Sequence, residues 1–295
     1  MENLVLCFGE ILWDTFADGK KAGGAPFNVA RHLAQQQINV LPASRVGNDA
    51  MGDELTSFVA HTGIDTTLIQ RDDDLPTCEV TVHLDEHNQA SYRIPEPVSW
   101  DNIQPTRELM QYAAKADVIV FGSLANREET TRNTLLDMLD DSNALRVFDV
   151  NLRAPHYNLD TVEALAAKAD VIKMNEEEAA LLISVPPGHE PLQEEILEFH
   201  SKYHTQTICI TRAEKGALIW HDGDFYDHPG FKVQVADTVG AGDSFLATLI
   251  KGLLKKEPID QILPRACGIG AFVASQRGAN PAYDEDAIRQ IIEQQ

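Results

Sequence analysis

Apolar residues recur along the chain in two patterns, and the order of these patterns predicts the fold. Short apolar runs such as Leu4–Phe8 and residues 117–121 have the length and composition of buried strands. Residues 128–139 and Gln193–Tyr203 carry apolar side chains at the 3.6-residue spacing of amphipathic helices. Because strands and helices alternate, the pattern predicts an α/β fold with a mainly parallel sheet covered by helices on both faces.

Further segments continue this alternation to the end of the chain. The other predicted strands span residues 38–46, 145–150, 171–174, Thr207–Thr211, 216–220 and 231–235, with a turn at Asp222 and Gly223. The other predicted helices comprise one opened by Asn28, one that ends at Gly63, one that ends at residues 113–115, and segments at 164–167, from Glu176, at 259–275 and at Glu285–Glu293.

Residues 77–94 interrupt this order. Two runs of alternating apolar and polar residues flank the tetrapeptide 85–88, which is typical of a β-hairpin turn. Residues 14–21 add a further short segment of the same kind. Such ribbons do not belong in a parallel sheet, so they predict either a flap over a site or an edge used for dimerisation.

Composition narrows the class of protein. The chain has 295 residues and no low-complexity linker, which predicts one domain over residues 1–295. The net charge of −22 argues against nucleic acid or an anionic membrane as a partner. The four cysteines lie far apart without metal-ligand spacing, as expected of a cytoplasmic protein. The N-terminal residues resemble a first strand more than a signal peptide, and no apolar run has the length of a membrane span.

Residues 236–254 carry the strongest chemical signal. A polar, glycine-rich segment from Asp237 to Asp243 runs into a helix whose apolar face includes Phe245 and Leu249. The first amides of a helix have no internal partner, so this turn is a candidate anion site with the positive end of the helix dipole behind it. A carboxylate beside an anion site suggests that Asp243 removes a proton where a negative group is transferred. The alternative is that Asp243 only caps the helix.

Polar residues also collect where the predicted strands end. These residues are Glu10, Asp14, Asp149, Asn151, Arg153, Asn175, Glu178, Thr211 and Arg212. In an open α/β sheet such ends share one edge and line one cleft. Arg153 is suited to phosphate charge, and Asn175 with Glu178 to the water shell of Mg²⁺. Asn175 and Glu178 also have the spacing of a capping box, and this structural role is compatible with binding the water shell of Mg²⁺.

With these motifs in place, the chain resembles the PfkB/ribokinase-type sugar kinases, and within that family most closely the fructokinases. Five segments carry the resemblance in the family's order along nearly the whole chain: GGAPFNVA (23–30), FDVNLR (148–153), KMNEEE (173–178), TRAEKGA (211–217) and DTVGAGDSF (237–245). The resemblance implies a ribokinase-like, three-layer α/β sandwich with a small β-sheet lid. The lid would correspond to segments at about 14–22 and 77–97 and would exclude water on closure.

The resemblance also implies roles for individual residues. Asp243 would be the general base, and the amides of Gly240, Ala241, Gly242 and Asp243 the anion hole. Asp14, Gly24, Asn28 and Asp243 would contact the sugar, while Arg153, Asn175, Glu178, Thr211 and Gly216 would serve ATP and Mg²⁺. Asp237, Val239 and the loop near Gly278 would hold K⁺, which activates many members. Ala213 departs from the glycine that is usual in the nucleotide motif, and the loop near Gly278 matches less well than the other segments.

The expected activity is therefore transfer of the γ-phosphate of ATP to a sugar hydroxyl, with D-fructose and its 6-position as first candidate. A kinase of the same fold acting on 2-keto-3-deoxygluconate, ribose or a nucleoside is the alternative. A non-catalytic sugar- or nucleotide-binding protein is the second alternative, although it would need no base at Asp243. The GxGxxG turn of a Rossmann oxidoreductase does not follow the first strand. The relatives also suggest a homodimer formed through the lid.

Overall fold

The computed structural model describes residues 3–16, 19–84, 90–183 and 193–293, without the side chains of residues 82–84 and 90–92. Over these residues the chain forms a large sheet between two helical layers, together with a small separate sheet. The expected α/β architecture, with a mainly parallel sheet and a small second sheet, is confirmed.

The large sheet contains nine described strands in the order β13-β12-β11-β10-β9-β8-β1-β4-β5. Their bounds are β1 Leu4–Phe8, β4 Asn39–Gly47, β5 Ile69–Asp72, β8 Val118–Gly122, β9 Leu145–Asp149, β10 Val171–Asn175, β11 Thr207–Thr211, β12 Ala217–His221 and β13 Asp224–His228. Across the sheet, strands β11, β10, β9, β8, β1, β4 and β5 pair in parallel. Strands β12 and β13 form an antiparallel hairpin at the β11 edge.

Ten described α-helices connect or follow these strands. Their bounds are α1 Ala25–Gln35, α2 Ala50–His61, α3 Arg107–Ala113, α4 Glu129–Asp140, α5 Leu159–Ala166, α6 Glu176–Leu182, α7 Gln193–Tyr203, α8 Ala241–Leu254, α9 Ile259–Ala274 and α10 Glu285–Glu293. None of them combines the length and apolar character needed to cross a bilayer.

Side chains alternate between the two faces of each strand, so the sheet has an apolar core on each side. On one face Leu6 and Ile119 pack with residues of α3, α4, α5 and α7. On the other face Val5 and Val118 pack with residues of α1, α8 and α9. The second layer is the one that carries both glycine-rich motifs, because these motifs open α1 and α8.

The segments predicted to form a lid contribute to the small sheet, and the name lid is kept for this sheet below. It consists of β2 Leu12–Phe16, β3 Gly19–Gly23, β6 Glu79–Leu84 and β7 Ala90–Arg93, in the order β3-β2-β6-β7. The hairpin predicted around 77–94 is present as β6 and β7, and residues 14–21 contribute to β2 and β3. The predicted turn at 85–88 lies outside the described residues. The base of the sheet is anchored because Leu12 and Trp13 are buried against the body.

One predicted helix start and one predicted strand were wrong. Helix α1 begins at Ala25 with Gly24 as its N-cap, so Asn28 lies within its first turn instead of opening it. Residues 231–235 form no strand, because the turn at Asp222 and Gly223 returns the chain at once into β13, whose residues pair with those of β12. Both turn residues have positive φ, which matches the two-residue connection of a tight hairpin.

Candidate active site

The two glycine-rich motifs, more than two hundred residues apart in sequence, meet at one hydrogen bond. The Nδ2 of Asn28, in the first turn of α1, donates to Oδ2 of Asp243, in the first turn of α8, at 2.8 Å. The two helices lie side by side on the same face of the sheet. The carboxylate of Asp243 makes no capping bond to its own helix, so its side chain is directed toward α1.

Backbone conformation at two glycines makes this meeting possible. Gly24 has φ of 108°, and a Cβ there would collide with the backbone oxygen of Glu10. Gly240 has φ of 81°, and a Cβ there would collide with the backbone of Ala279. Only glycine therefore allows α1 to begin against the end of β1, and α8 to begin against the loop that follows α9.

The surroundings of Asp243 prepare its carboxylate to take up a proton. Loss of solvent, and after it the nearby charge of Asp149, raise the pKa of Asp243 to about 6. Lys173, the hydrogen bond from Asn28 and the charge of Arg153 act in the opposite direction. A carboxylate with a pKa near 6 is ionised at neutral pH and is a stronger base than an ordinary aspartate, as a general base requires.

The amides predicted to bind an anion lie beside this carboxylate. Gly240 is the N-cap of α8, and Ala241, Gly242 and Asp243 form its first turn. The amide of Ala241 makes a long 3.3 Å hydrogen bond to the oxygen of Thr238, so it is not wholly free as expected. The other three amides have no acceptor within the described chain, and they lie at the positive end of the helix dipole.

A buried ion pair beneath this turn was not assigned a role from sequence. Lys173 Nζ lies 2.8 Å from Asp149 Oδ1, and both side chains are almost fully buried. A Cβ at Gly242 would lie 3.2 Å from that Nζ, which places the positive charge directly under the amides. Burial disfavours the charged amine, but Asp149 and Glu178 more than offset it and hold the pKa of Lys173 above its usual value. The sequence signal that could have revealed this ion pair is a lysine in the middle of an otherwise apolar strand.

Asp14, the predicted sugar contact, lies at the base of the lid. Its Oδ2 occupies the space where a side chain at position 23 would be, so Gly23 leaves room for it. Burial raises the pKa of Asp14 to about 6, against the charges of Arg153 and Lys21. Arg153 is exposed, and its charge also acts on Glu10 and Asp243. The structure thus groups Asp14, Asn28 and Asp243 near one guanidinium.

Glu10 is a second buried carboxylate in this region. Its Oε1 accepts a hydrogen bond of 3.2 Å from the amide of Ala25, the first residue of α1, and its Oε2 has no partner. Burial raises the pKa of Glu10 to about 7. Glu10 therefore helps to fix the start of α1, and through it the position of Asn28.

A cleft of about 720 Å³ opens on the other side of the α8 N-terminus. Predicted nucleotide or anion-hole residues line it, namely Asn175, Thr211, Gly216, Ala241 and Gly242. Its volume lies within the range of small-molecule sites. Arg153 and Glu178, which were also assigned to the nucleotide, are not among the lining residues. Residues 231–235, expected as a strand, instead provide an irregular wall of this cleft.

Asn175 and Glu178 form a capping box at the start of α6, which is the structural role that the sequence predicted beside Mg²⁺ binding. The amide of Glu178 donates to Asn175 Oδ1 at 2.8 Å, and the amide of Asn175 donates to Glu178 Oε2 at 2.9 Å. Leu152 also donates its amide to Glu178 Oε1. No group of three or more metal-ligating side chains occurs among the described residues. Asp149 Oδ2, however, is buried without a hydrogen-bond partner.

These residues fit a hydrated Mg²⁺ better than a directly bound one. Mg²⁺ keeps much of its water shell and is usually held by one or two carboxylates together with substrate phosphates. The unpartnered Asp149 oxygen, with the Glu178 carboxylate beside it, offers that kind of limited, water-mediated contact.

The three residues predicted for a monovalent cation are joined by one side chain. Asp237 Oδ1 accepts a hydrogen bond from the amide of Val239, and its Oδ2 accepts one of 3.0 Å from the amide of Gly278. The loop before α8 is thus tied to the loop after α9. Because both carboxylate oxygens of Asp237 accept hydrogen bonds from backbone amides, this side chain holds the two loops together without a bound cation.

Known proteins share both the sequence pattern and the fold. Residues 5–286 match the pfkB family of carbohydrate kinases. Fructokinase from Klebsiella pneumoniae is 27% identical over 314 residues, covering 99% of this chain and 100% of that protein.

Two solved structures show the same fold. The first is a fructokinase double mutant from Vibrio cholerae O395 in its fructose-, ADP- and potassium-bound form, with a TM-score of 0.84, 23% identity and coverage of 99% and 98%. The second is 2-dehydro-3-deoxygluconokinase from Thermotoga maritima, with a TM-score of 0.85, 19% identity and coverage of 99% of both chains.

Proposed function

Since the chain belongs to the pfkB family of carbohydrate kinases, we propose that it transfers the γ-phosphoryl group of ATP to D-fructose and releases fructose 6-phosphate and ADP. The observation that carries this proposal is the hydrogen bond between Asn28 and Asp243. It joins the motif proposed to bind the sugar to the motif proposed to carry the base and the anion hole. A binding protein would have no need of a base with a raised pKa at that junction.

In the proposed reaction the sugar lies between Asp14, the backbone at Gly24, Asn28 and Asp243. Asp243 takes the proton of the attacking hydroxyl, and the freed electron pair forms the new bond to the γ-phosphorus. The bond from that phosphorus to the bridging oxygen breaks, and the oxygen leaves with ADP. The amides of Gly240, Ala241, Gly242 and Asp243 stabilise charge on the phosphoryl group in flight.

Lys173 strengthens that anion hole from below. Its charge is held in a nearly dry environment under Gly242, where electrostatic interactions are stronger than in water. Arg153, exposed at the same edge of the sheet, would approach the phosphates from the solvent side.

The cleft lined by Asn175, Thr211 and Gly216 is the proposed nucleotide site. Ala241 and Gly242 connect this cleft to the proposed anion hole, because they line the cleft and also form the first turn of α8. Mg²⁺, held through water by Asn175, Glu178 and Asp149, would neutralise phosphate charge when bound. K⁺ at the loops of Asp237, Val239 and Gly278 would fix the geometry of the anion hole from behind.

Fructose as acceptor rests on the form of the first motif, GGAPFNVA at 23–30, and on the name of the Klebsiella relative. The reducing cytoplasm is the proposed site of action, because all four cysteines are free and buried. Sugar and ATP are the proposed partners.

An ADP-release assay over a panel of acceptors tests the proposal. The panel contains D-fructose, 2-keto-3-deoxygluconate, ribose and a nucleoside, each with ATP and Mg²⁺ and with or without K⁺. We expect the highest kcat/KM with fructose and a higher rate in K⁺. A higher kcat/KM for another acceptor would overturn the choice of fructose, and no turnover with any of them would favour a binding protein.

A further inference from the structure

A second cavity lies between the lid and the body, outside the proposed nucleotide cleft. Its volume is about 360 Å³, and it is bounded by strand β3, helix α1 and the loop that follows α9. Asp14, Asn28 and Asp243 do not line it. The proposed catalytic and sugar contacts therefore leave this cavity unexplained.

Four of the five charged residues in the described lining of this cavity are cations. Lys20 and Lys21 come from β3, Arg31 from α1 and Arg277 from the loop after α9, whereas Glu54 is the one carboxylate among the described lining residues. Such a cluster is unusual in a chain with 24 basic and 46 acidic residues. Because its members come from three separate segments, the fold and not the local sequence assembles it.

The two arginines of this cluster have no ion-pair partner among the described carboxylates. Lys20 pairs with Glu54, and the charge of Lys21 acts on the Asp14 carboxylate without forming an ion pair with it. Arg31 is half-buried, and its Nε is shielded from solvent without a hydrogen-bond acceptor. Placing several like charges together and removing solvent from one of them costs free energy, which a bound anion would offset.

The shape of the cavity limits the kind of anion. Its volume is at the lower end of the range for small-molecule sites, which suits a compact ligand better than a nucleotide. Arginine presents a planar array of donors that matches phosphate oxygens. Trp13 and Phe58 add an apolar wall against which a carbon skeleton could lie.

We propose that this cavity is a binding site for a phosphate group, either inorganic phosphate or the phosphate of a small ester, separate from the phosphoryl group that is transferred. Arg31 and Arg277 hold the phosphate oxygens, and Lys21 adds charge from the lid. The occupant therefore binds lid and body together.

The site is connected to the proposed base by hydrogen bonds. Asn280 lines the cavity and donates from Nδ2 to Asn28 Oδ1 at 2.7 Å, and Asn28 in turn donates to Asp243. Gly278 also lines the cavity and donates to Asp237, at the start of the motif that carries Asp243. An occupant that shifts this loop acts on the position of the catalytic carboxylate.

Calorimetric titration without ATP or acceptor tests the site independently of any kinase activity. Inorganic phosphate and fructose 6-phosphate are titrated separately into the wild-type chain and into Arg31→Gln, Arg277→Gln, Arg153→Gln and Arg289→Gln. We expect at least one probe to bind, with a Kd weakened tenfold or more in the Arg31 and Arg277 variants. The Arg289 variant, altered on exposed helix α10, should bind within twofold of wild type.

The source of the phosphate follows from the same data. Tighter binding of fructose 6-phosphate that depends on Arg31 and Arg277 identifies a phosphate ester, whereas equal or tighter binding of inorganic phosphate identifies the free anion. Arg277 is exposed, so its variant is expected to fold even if the Arg31 variant does not. The proposal is overturned if neither probe binds, or if binding is lost only in the Arg153 variant, which would place the anion at the catalytic amides.

Discussion

Asp243 is the residue on which the proposed chemistry depends. Replacing it by asparagine keeps the size of the side chain and removes the base. We expect Asp243→Asn to lower kcat by about 10²–10⁴-fold, the usual contribution of general-base catalysis. The affinity for ATP, measured by calorimetry, should stay within a few-fold of wild type because Asp243 does not line the proposed nucleotide cleft. Near wild-type turnover would rule out Asp243 as the base.

The raised pKa of Asp243 also predicts a pH dependence. Below its pKa of about 6 the carboxylate is protonated and cannot accept the hydroxyl proton. We therefore expect kcat/KM to rise with pH up to about 6 and then to level off. A rate that stays constant from pH 5 to pH 8 would contradict the assignment.

The same shift predicts an effect on stability. A carboxyl group whose pKa is higher in the folded than in the unfolded chain contributes stability below its unfolded pKa, and this contribution is lost as pH rises through the folded pKa. Asp243→Asn should therefore raise Tm relative to wild type at pH 8, and the gain should shrink as pH falls from 6 toward 4. A gain that is independent of pH would point to a different cause.

Lys173 forms a buried ion pair, and its proposed second role is to add positive charge under the anion hole. Removing its charge alone leaves Asp149 buried without its partner, which typically costs about 3–5 kcal/mol. We expect Lys173→Met to lower the free energy of unfolding in urea by about that amount, and Asp149→Asn added to it to recover part of the loss. Both variants should have reduced kcat, because the charge under Gly242 is missing. Full activity in the double variant would restrict Lys173 to a structural role.

At the scale of the elements, the start of α8 depends on its contact with the loop after α9. Gly240 and Gly63 have the same φ of 81°, but a Cβ at Gly240 would collide with Ala279, whereas one at Gly63 meets open space. We expect Gly240→Ala to lower kcat by at least tenfold and to reduce Tm. Gly63→Ala carries the backbone strain alone and is the matched control. Equal effects of the two substitutions would show that the contact with Ala279 is unimportant.

For the whole molecule, the lid is the surface expected to pair two chains. Strands β3 and β7 are the edges of the described small sheet, and an unpaired edge is able to accept a strand from another chain. We expect sedimentation equilibrium to give twice the 32.6 kDa mass of the chain. Lys20→Pro places a proline on the edge strand β3 and should shift the measured mass toward that of a single chain. A monomer at every concentration would rule out the dimer.

The sequence by itself determined the class of fold and most of its elements. Alternating apolar runs and amphipathic segments define local structure through periods of two and 3.6 residues, so they can be recognised without knowledge of partners. Helix α10 was predicted with its observed ends, and the strand at Thr207–Thr211 likewise. The start of α1 was missed because the proline at its second position and the contact of Gly24 with Glu10 decide it.

Local patterns named Asp243 and Asp14 as site residues and the family resemblance added Asn28, but only the tertiary structure shows which of them meet. The bond from Asn28 to Asp243 depends on how α1 packs on α8, and the charge of Lys173 lies close to Gly242 because β10 passes beneath it. Contacts of this kind join residues that are far apart in sequence, and the packing of sheet, helices and loops sets their distances. The cationic cavity of Arg31 and Arg277 has the same origin, because no local pattern links the segments that form it.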